Sequence, residues 1–139
     1  MTGFIIKTKD NQTIRFHYYF EDAPLSVAAF QKELPFTLSF YHARTSGQEF
    51  WIADAFKFDV IQENASVFIE QGEIVLGPMK PARVKTAGAI GIYYGEGRGL
   101  DAANIFGKLF DEDLSFLKTL GEKIWKQGEQ ELRFEEFEY

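Results

Sequence analysis

Hydrophobic and polar residues alternate along several short stretches of the chain, and this pattern predicts a mainly β protein. In the clearest stretch, Thr13 to Phe20, large apolar residues occupy every second position. A period of two is typical of a half-buried strand. A second apolar run, Phe4 to Thr8, and the polar turn residues between the two runs complete a predicted N-terminal hairpin. Four further strands are predicted at Phe36 to Tyr41, Phe50 to Ala53, Glu73 to Leu76 and Glu131 to Phe137.

Two other segments repeat their apolar residues at helical spacing. The first predicted helix begins near Pro24, because proline is tolerated in a first turn, and Pro35 ends it. The second begins at Asp111 or Asp113, either of which could cap it, and runs to about Lys126. A sheet that closes on itself, with these helices at its ends, would bury the apolar face of both helices.

The remaining segments lack a clear period or contain residues that interrupt regular structure. Phe56 to Ser66 is interpreted as mostly loop, and the periodicity stays poor as far as Ile69. Prolines and glycines in or beside Met79 to Gly88 predict another loop.

The most distinctive stretch is Gly88 to Leu109, where two apolar runs flank the glycines Gly95, Gly97 and Gly99. A glycine-rich loop of this kind can bind phosphate, but the spacing lacks the third glycine of a dinucleotide-binding motif. No Gly-Lys-Ser or Gly-Lys-Thr follows either. The stretch therefore predicts two strands joined by a glycine turn.

Composition narrows the function classes further. At 139 residues the chain is expected to form a single domain, residues 1–139. With no cysteine and two histidines, neither a disulfide nor a metal centre is expected, and no cofactor motif is found. The net charge of −6 argues against a nucleic-acid partner. No signal peptide and no apolar run of the ~20 residues that span a bilayer is found, so we expect a cytoplasmic protein without a membrane partner.

Three segments together resemble the cyclophilins, and more closely a group of bacterial proteins of unknown function with a cyclophilin-like fold. Ala23 to Phe30 is similar to the family's proline-then-helix segment, and Gly72 to Leu76 to its glycine-led strand. Leu100 to Leu109 is similar to the family's run of Leu-Asp-Gly, a histidine, two valines and Phe-Gly-Lys-Val. The resemblance implies a closed antiparallel cyclophilin-like β-barrel of about eight strands, capped by two α-helices.

The resemblance also implies where a groove lies. Cyclophilins are peptidyl-prolyl isomerases, and Arg44 is the best match to their catalytic arginine, with His42 and the pair Phe50 and Trp51 nearby. The sequence departs from the family at four other groove positions. The groove glutamine, phenylalanine, tryptophan and histidine correspond to positions near Ala89, Gly91, Gly99 and Asn104.

Our leading hypothesis is that a small molecule or short acidic peptide binds in this groove without efficient prolyl isomerisation. Adjacent strand residues face opposite ways, so at most one ring of Phe50 and Trp51 lines the groove beside Arg44. The alternatives are an active peptidyl-prolyl isomerase and a structural module in which exposed rings pair the subunits of a homo-oligomer. Each candidate also has a structural interpretation, as a surface ion pair or a core ring. The candidate ligand-binding residues are Arg44, His42, Phe50, Trp51, Tyr93 and Asn104.

Overall fold

The computed structural model describes residues 1–81 and 85–139, and part of the predicted loop Met79 to Gly88 lies outside these ranges. The described residues form eight strands and two α-helices, and a 3₁₀ turn at Asp111–Asp113 precedes the second helix. The strands are β1 (Thr2–Lys7), β2 (Thr13–Tyr18), β3 (Phe36–His42), β4 (Gly47–Ile52), β5 (Ala65–Phe68), β6 (Glu73–Leu76), β7 (Ile90–Leu109) and β8 (Gln130–Glu138). The helices are α1 (Pro24–Gln31) and α2 (Leu114–Gln127).

The strands form one antiparallel sheet that closes on itself. Hydrogen-bonded neighbours follow the order β2-β1-β8-β3-β4-β7-β5, and β2 also pairs with β7. That last pairing joins two strands that would otherwise lie far apart in the sheet, and the result is a ring. The prediction of a closed barrel of about eight strands with two helices is confirmed.

Aromatic side chains fill the interior of the ring. Phe4 stacks on Phe16 with ring centroids 4.7 Å apart, and Phe36 stacks on Phe134 at the same separation. Phe30 of α1 packs against these rings, while α2 adds a buried aliphatic stripe that includes Leu117. Both helices therefore contribute to this core, as their amphipathic patterns predict. Within the described residues, no helix is long and apolar enough to cross a bilayer.

Strand β7 differs from the predicted pair of strands with a glycine turn. It remains a single strand of 20 residues, and β6 lies between its two arms, so that Ile74 pairs with both Ile92 and Gly107. The glycines permit close contacts between strands. A Cβ atom at Gly97 would lie 2.5 Å from the Ser46 carbonyl oxygen and 2.7 Å from the Tyr93 ring. A side chain at position 97 would therefore separate β7 from the end of β4, with which Gly97 pairs.

Strand β5 falls within the segment for which the sequence shows poor periodicity. It has four residues, lies at an end of the pairing order and leaves Phe68 exposed. A short edge strand with neither face fully buried has no alternation that could reveal it.

The predicted helix cap also takes a different form, because neither Asp111 nor Asp113 caps α2 through its side chain.

Candidate functional site

A cavity of about 410 Å³ opens on the outer face of the sheet, where β3, β4, β6 and β7 meet. We call it the outer cavity. The strand register explains why its residues face away from the aromatic core. Trp51 pairs with Tyr41 on β3 and with Gly91 on β7, while Glu49 pairs with Tyr93. Because side chains alternate along a strand, these residues share the face opposite to Phe50, which is fully buried in the core.

The carboxyl group of Glu49 lines the outer cavity and is buried. The residue is only 8% exposed. The hydroxyl of Ser46, in the turn before β4, donates a hydrogen bond of 2.5 Å to its Oε1 atom. Its Oε2 atom lies over the backbone of Gly91, where an added Cβ atom would be 2.0 Å away. Glycine at position 91 therefore leaves the space that the carboxyl occupies.

Burial raises the pKa of Glu49 to about 7, against the opposing effect of hydrogen bonds from Ser46 and Tyr93. Loss of hydration disfavours the charged form of an acid, and no lysine or arginine among the described residues forms an ion pair with this one. Burial also raises the pKa of Tyr93, so its phenol remains neutral. At neutral pH, Glu49 can therefore either donate or accept a proton.

Arg44 and Trp51 border the same cavity nearer the solvent. Arg44 follows directly after β3 and is exposed, and it forms no ion pair within residues 1–81 and 85–139. The surface ion pair considered as its structural interpretation is therefore not present in the described structure. Trp51 is half-buried, and its ring contacts Tyr41 edge-on with centroids 6.2 Å apart. A guanidinium and an indole thus border one opening.

His42 borders the cavity, but its ring nitrogens already have partners. Nδ1 lies 2.7 Å from the Ala43 carbonyl oxygen, and Nε2 lies 2.8 Å from the Tyr94 hydroxyl. A carbonyl oxygen only accepts hydrogen bonds, so Nδ1 donates and, in the neutral ring, Nε2 accepts from Tyr94. The ring also packs edge-on against Trp125 of α2, with centroids 4.7 Å apart. These contacts orient the imidazole toward the helix.

Two other predicted site residues lie elsewhere. Phe50 points into the aromatic core, so Trp51 is the member of that pair that lines the cavity. Asn104 is fully buried, and its amide donates to the Ser26 hydroxyl and the Ile61 carbonyl oxygen. Its own oxygen accepts from the Glu63 backbone N–H at 3.0 Å. The Asn104 side chain joins α1 to the segment before β5. Of the six candidates, Arg44, His42, Trp51 and Tyr93 border the outer cavity.

Glu49, Ser46 and Gly91 were not recognised as candidates from the sequence. The segment His42 to Glu49 is polar, and β4 was predicted to begin only at Phe50, whereas it begins at Gly47. If the alternation is extended backwards from Trp51, Glu49 falls on the same face, and this was the available signal.

Among the described residues, no group of three potential metal ligands comes together.

Solved structures define the class of fold. McbB, in a structure described as its complex with tryptophan, has a TM-score of 0.76 and 16% identity over 95% of this chain and 44% of McbB. This chain therefore spans less than half the length of McbB. A hypothetical protein from Archaeoglobus fulgidus has a TM-score of 0.64 and 16% identity, over 97% of this chain and 93% of that one.

A cyclophilin-type peptidyl-prolyl cis-trans isomerase from Cryptosporidium parvum, in the presence of the dipeptide Ala-Pro, has a TM-score of 0.54. It is 18% identical over 84% of either chain. At such identities the likeness concerns the fold, and the fold is cyclophilin-like.

The particular family follows from a sequence match. The profile of DUF3830, a family described as proteins of unknown function, matches residues 6–136, and the chain belongs to this family. No curated protein matches the chain.

Proposed function

We propose that this protein binds a small molecule or short peptide carrying a carboxylate in the outer cavity, without efficient prolyl isomerisation. The observation that supports this most directly is that Arg44, which pairs with no acid in the described part of the chain, borders a cavity of about 410 Å³ together with Trp51. Small-molecule sites typically have volumes of roughly 300–1,000 Å³ and combine apolar walls with a few polar groups.

Arg44 suits a carboxylate because its planar guanidinium can donate two parallel hydrogen bonds to the two oxygens. Trp51 and Tyr41 offer ring surface for an apolar or flat portion of the ligand. The bound tryptophan of McbB makes an aromatic amino acid a reasonable first probe, because the fold is shared although the identity is low.

The positions that correspond to the cyclophilin groove favour binding over isomerisation. Ala89, Gly91 and Gly99 border the cavity where that family has larger groove side chains, and Asn104 is buried away from it. A proline pocket needs an aromatic floor together with donors that hold the neighbouring carbonyl while the amide twists. Here small residues occupy that region, and a carboxyl group lies over Gly91.

A thermal-shift and calorimetric panel of tryptophan, indole-3-propionate and Ala-Pro tests the binding proposal. At least one of these carboxylates is expected to bind, and Arg44→Ala should weaken its binding about tenfold or more through loss of the charged hydrogen bonds. Arg133→Ala is the matched control, because this arginine lies on β8 and borders a different depression. If no carboxylate binds, or if Arg44→Ala binds as tightly as the control, the proposal is wrong.

A protease-coupled assay with a proline peptide tests the second part of the proposal. We expect no rate above that of the uncatalysed reaction. An acceleration that Arg44→Ala abolishes would show instead that the protein is an isomerase.

A further inference from the structure

We propose that the ligand of the outer cavity carries a basic amine, and that the carboxylate of Glu49 binds the resulting ammonium group. This inference rests on the proposed function, because it names a second recognition group for the same ligand. It also implies that the ligand displaces a proton from Glu49 when it binds.

The first argument is that no cation among the described residues balances the charge of Glu49. A buried carboxylate is normally paired with a cation or held by several donors, because burying an isolated charge is costly. Glu49 accepts hydrogen bonds from Ser46 and Tyr93, which are neutral donors, and no cation from the described residues pairs with it. A ligand ammonium group would supply this charge. A ligand carboxylate at the same place would be repelled by Glu49. We therefore expect the ammonium group of the ligand at Glu49 and its carboxylate at Arg44.

The second argument is the arrangement of rings around Glu49. Tyr41, Trp51 and Tyr93 border the cavity on the same sheet face as this carboxyl group. The faces of aromatic rings attract cations, and the effect strengthens where water is excluded. Carboxylate and rings together favour an ammonium group more than a neutral donor.

Other titratable groups line the outer cavity, and they also bear on how amine binding at Glu49 depends on pH. Among the described residues these groups are Tyr41 of β3, Arg44 in the turn after it, and Tyr93 and Asp101 of β7. The His42 imidazole is directed instead toward Tyr94 and Trp125. Asp101 accepts a hydrogen bond of 2.9 Å from the Lys85 backbone N–H, and its side chain is only partly buried. Glu49, Asp101 and Arg44 thus all line the same cavity. Asp101 is the competing candidate for an amine, and the experiment separates it from Glu49.

The buried carboxyl makes amine binding dependent on pH. Free Glu49 has a pKa raised to about 7, so only a small fraction is ionised at pH 5.5 and most is ionised at pH 8. Since apparent affinity scales with the fraction of protein in the competent form, an ammonium ligand should bind on the order of 10- to 30-fold more tightly at pH 8 than at pH 5.5. Near pH 7, binding should release roughly half a proton per site.

Calorimetry with two matched probes tests the inference on the whole chain. Tryptamine has the indole and the amine, whereas indole-3-propionate has the indole and a carboxylate. Tryptamine affinity should rise with pH as described, and its binding heat should vary with the ionisation heat of the buffer, which reports proton release. Glu49→Gln should weaken tryptamine about tenfold or more at pH 8 and remove the pH dependence. Glu96→Gln, an exposed carboxylate on β7, should change neither.

A measurement on the unmodified protein avoids dependence on any variant. In a ¹³C titration, the carboxyl signal of Glu49 should show an apparent pKa that falls on addition of saturating tryptamine, because the ammonium group stabilises the carboxylate. An unchanged titration would overturn the inference. So would tryptamine binding that depends on Asp101→Asn and not on Glu49→Gln. If only indole-3-propionate binds, through Arg44, the proposed function holds and this inference is wrong. If neither probe binds and the carboxylate panel also fails, the proposed function is wrong as well.

Discussion

Two buried carboxylates, Asp113 and Glu49, lie in contrasting surroundings. Asp113 is 4% exposed at the start of α2, and the Arg15 guanidinium donates to it through Nε at 2.9 Å and through Nη2 at 2.8 Å. The Arg15 backbone N–H donates as well, at 2.8 Å. Hydrogen bonding by Arg15 lowers the pKa of Asp113, whereas burial raises the pKa of Glu49 to about 7.

The difference separates a structural carboxylate from a candidate binding one. Asp113 links the 3₁₀ turn to β2, and all of its partners are protein groups. Glu49 faces a cavity, and no cation among residues 1–81 and 85–139 forms an ion pair with it. Strongly perturbed acids in a cleft are candidates for function, while a low pKa in a satisfied ion pair is ordinary structural chemistry. Four predictions test this contrast, in order of decreasing effect.

The largest effect is expected from Glu49→Gln. A raised folded-state pKa means that the native state binds a proton more tightly than the unfolded chain, so stability is greatest below the usual glutamate pKa and falls as pH rises through about 7. A neutral amide in place of the carboxyl removes this loss of stability at high pH. Glu49→Gln should therefore raise the free energy of unfolding by roughly 3 kcal/mol at pH 8 and by little at pH 4. Urea denaturation at both pH values measures it. An equal change in the free energy of unfolding at pH 4 and pH 8 would show that Glu49 ionises normally.

Asp113→Ala should destabilise the protein, whereas Glu49→Gln should stabilise it. The loss for Asp113→Ala should be about 2 kcal/mol in the free energy of unfolding at pH 7, because several charge-assisted hydrogen bonds are removed. The figure is below that for a fully buried pair, since Arg15 is partly exposed to solvent. The folded pKa of Asp113 is lowered, so its contribution is present above the usual aspartate pKa and lost as pH falls through the folded value. Asp111→Ala is the control, and an equal loss there would contradict the contrast.

A smaller effect is expected for Gly91→Ala, which should cost about 1 kcal/mol and move the pKa of Glu49 downward. The new Cβ would displace a flexible carboxyl group toward solvent and leave the backbone in place. A double-mutant cycle with Glu49→Ala isolates the contact, because the cost of the alanine should disappear once the carboxyl is absent. If Gly91→Ala still lowers the free energy of unfolding when Glu49 is also replaced by alanine, the new Cβ atom clashes with a group other than the Glu49 carboxyl.

The smallest effect on stability is expected for Arg44→Ala. Arg44 is exposed and pairs with no acid among the described residues, so its loss should change the free energy of unfolding by less than about 0.5 kcal/mol. Thermal or urea unfolding checks this, beside the ligand measurements on the same variant. A loss similar to that for Asp113→Ala would show that Arg44 is structural and would weaken the binding proposal.

Much of the fold was predictable because its signals are local. The alternation in β2 and β8, the proline at the start of α1 and the apolar stripe of α2 each depend on neighbouring residues. The closed ring was also expected from the family resemblance. The continuity of β7 was not, because it depends on contacts between Gly97 and residues of another strand.

The candidate site was predictable only in part, for the same reason. The resemblance located Arg44 and Trp51, whose positions follow from strand order. It also suggested Phe50 and Asn104, but the alternation of β4 turns Phe50 inward, and Asn104 bonds to segments 40 or more residues away in the chain. No local pattern distinguishes such a buried amide from an exposed one.

Local sequence patterns predict most of the strands and both helices with their apolar faces, because periodicity and turn residues act over a few positions. Strand β5 and the continuity of β7 are the exceptions. Which charged groups are buried and which are paired depends on how distant parts of the chain pack together. Asp113 pairs with Arg15, 98 residues away in the chain, whereas Glu49 lies over Gly91 of another strand, and no cation in the described part of the chain pairs with it. Ionisation depends on the surrounding atoms in space, so two acids that look alike in the sequence have opposite pKa shifts.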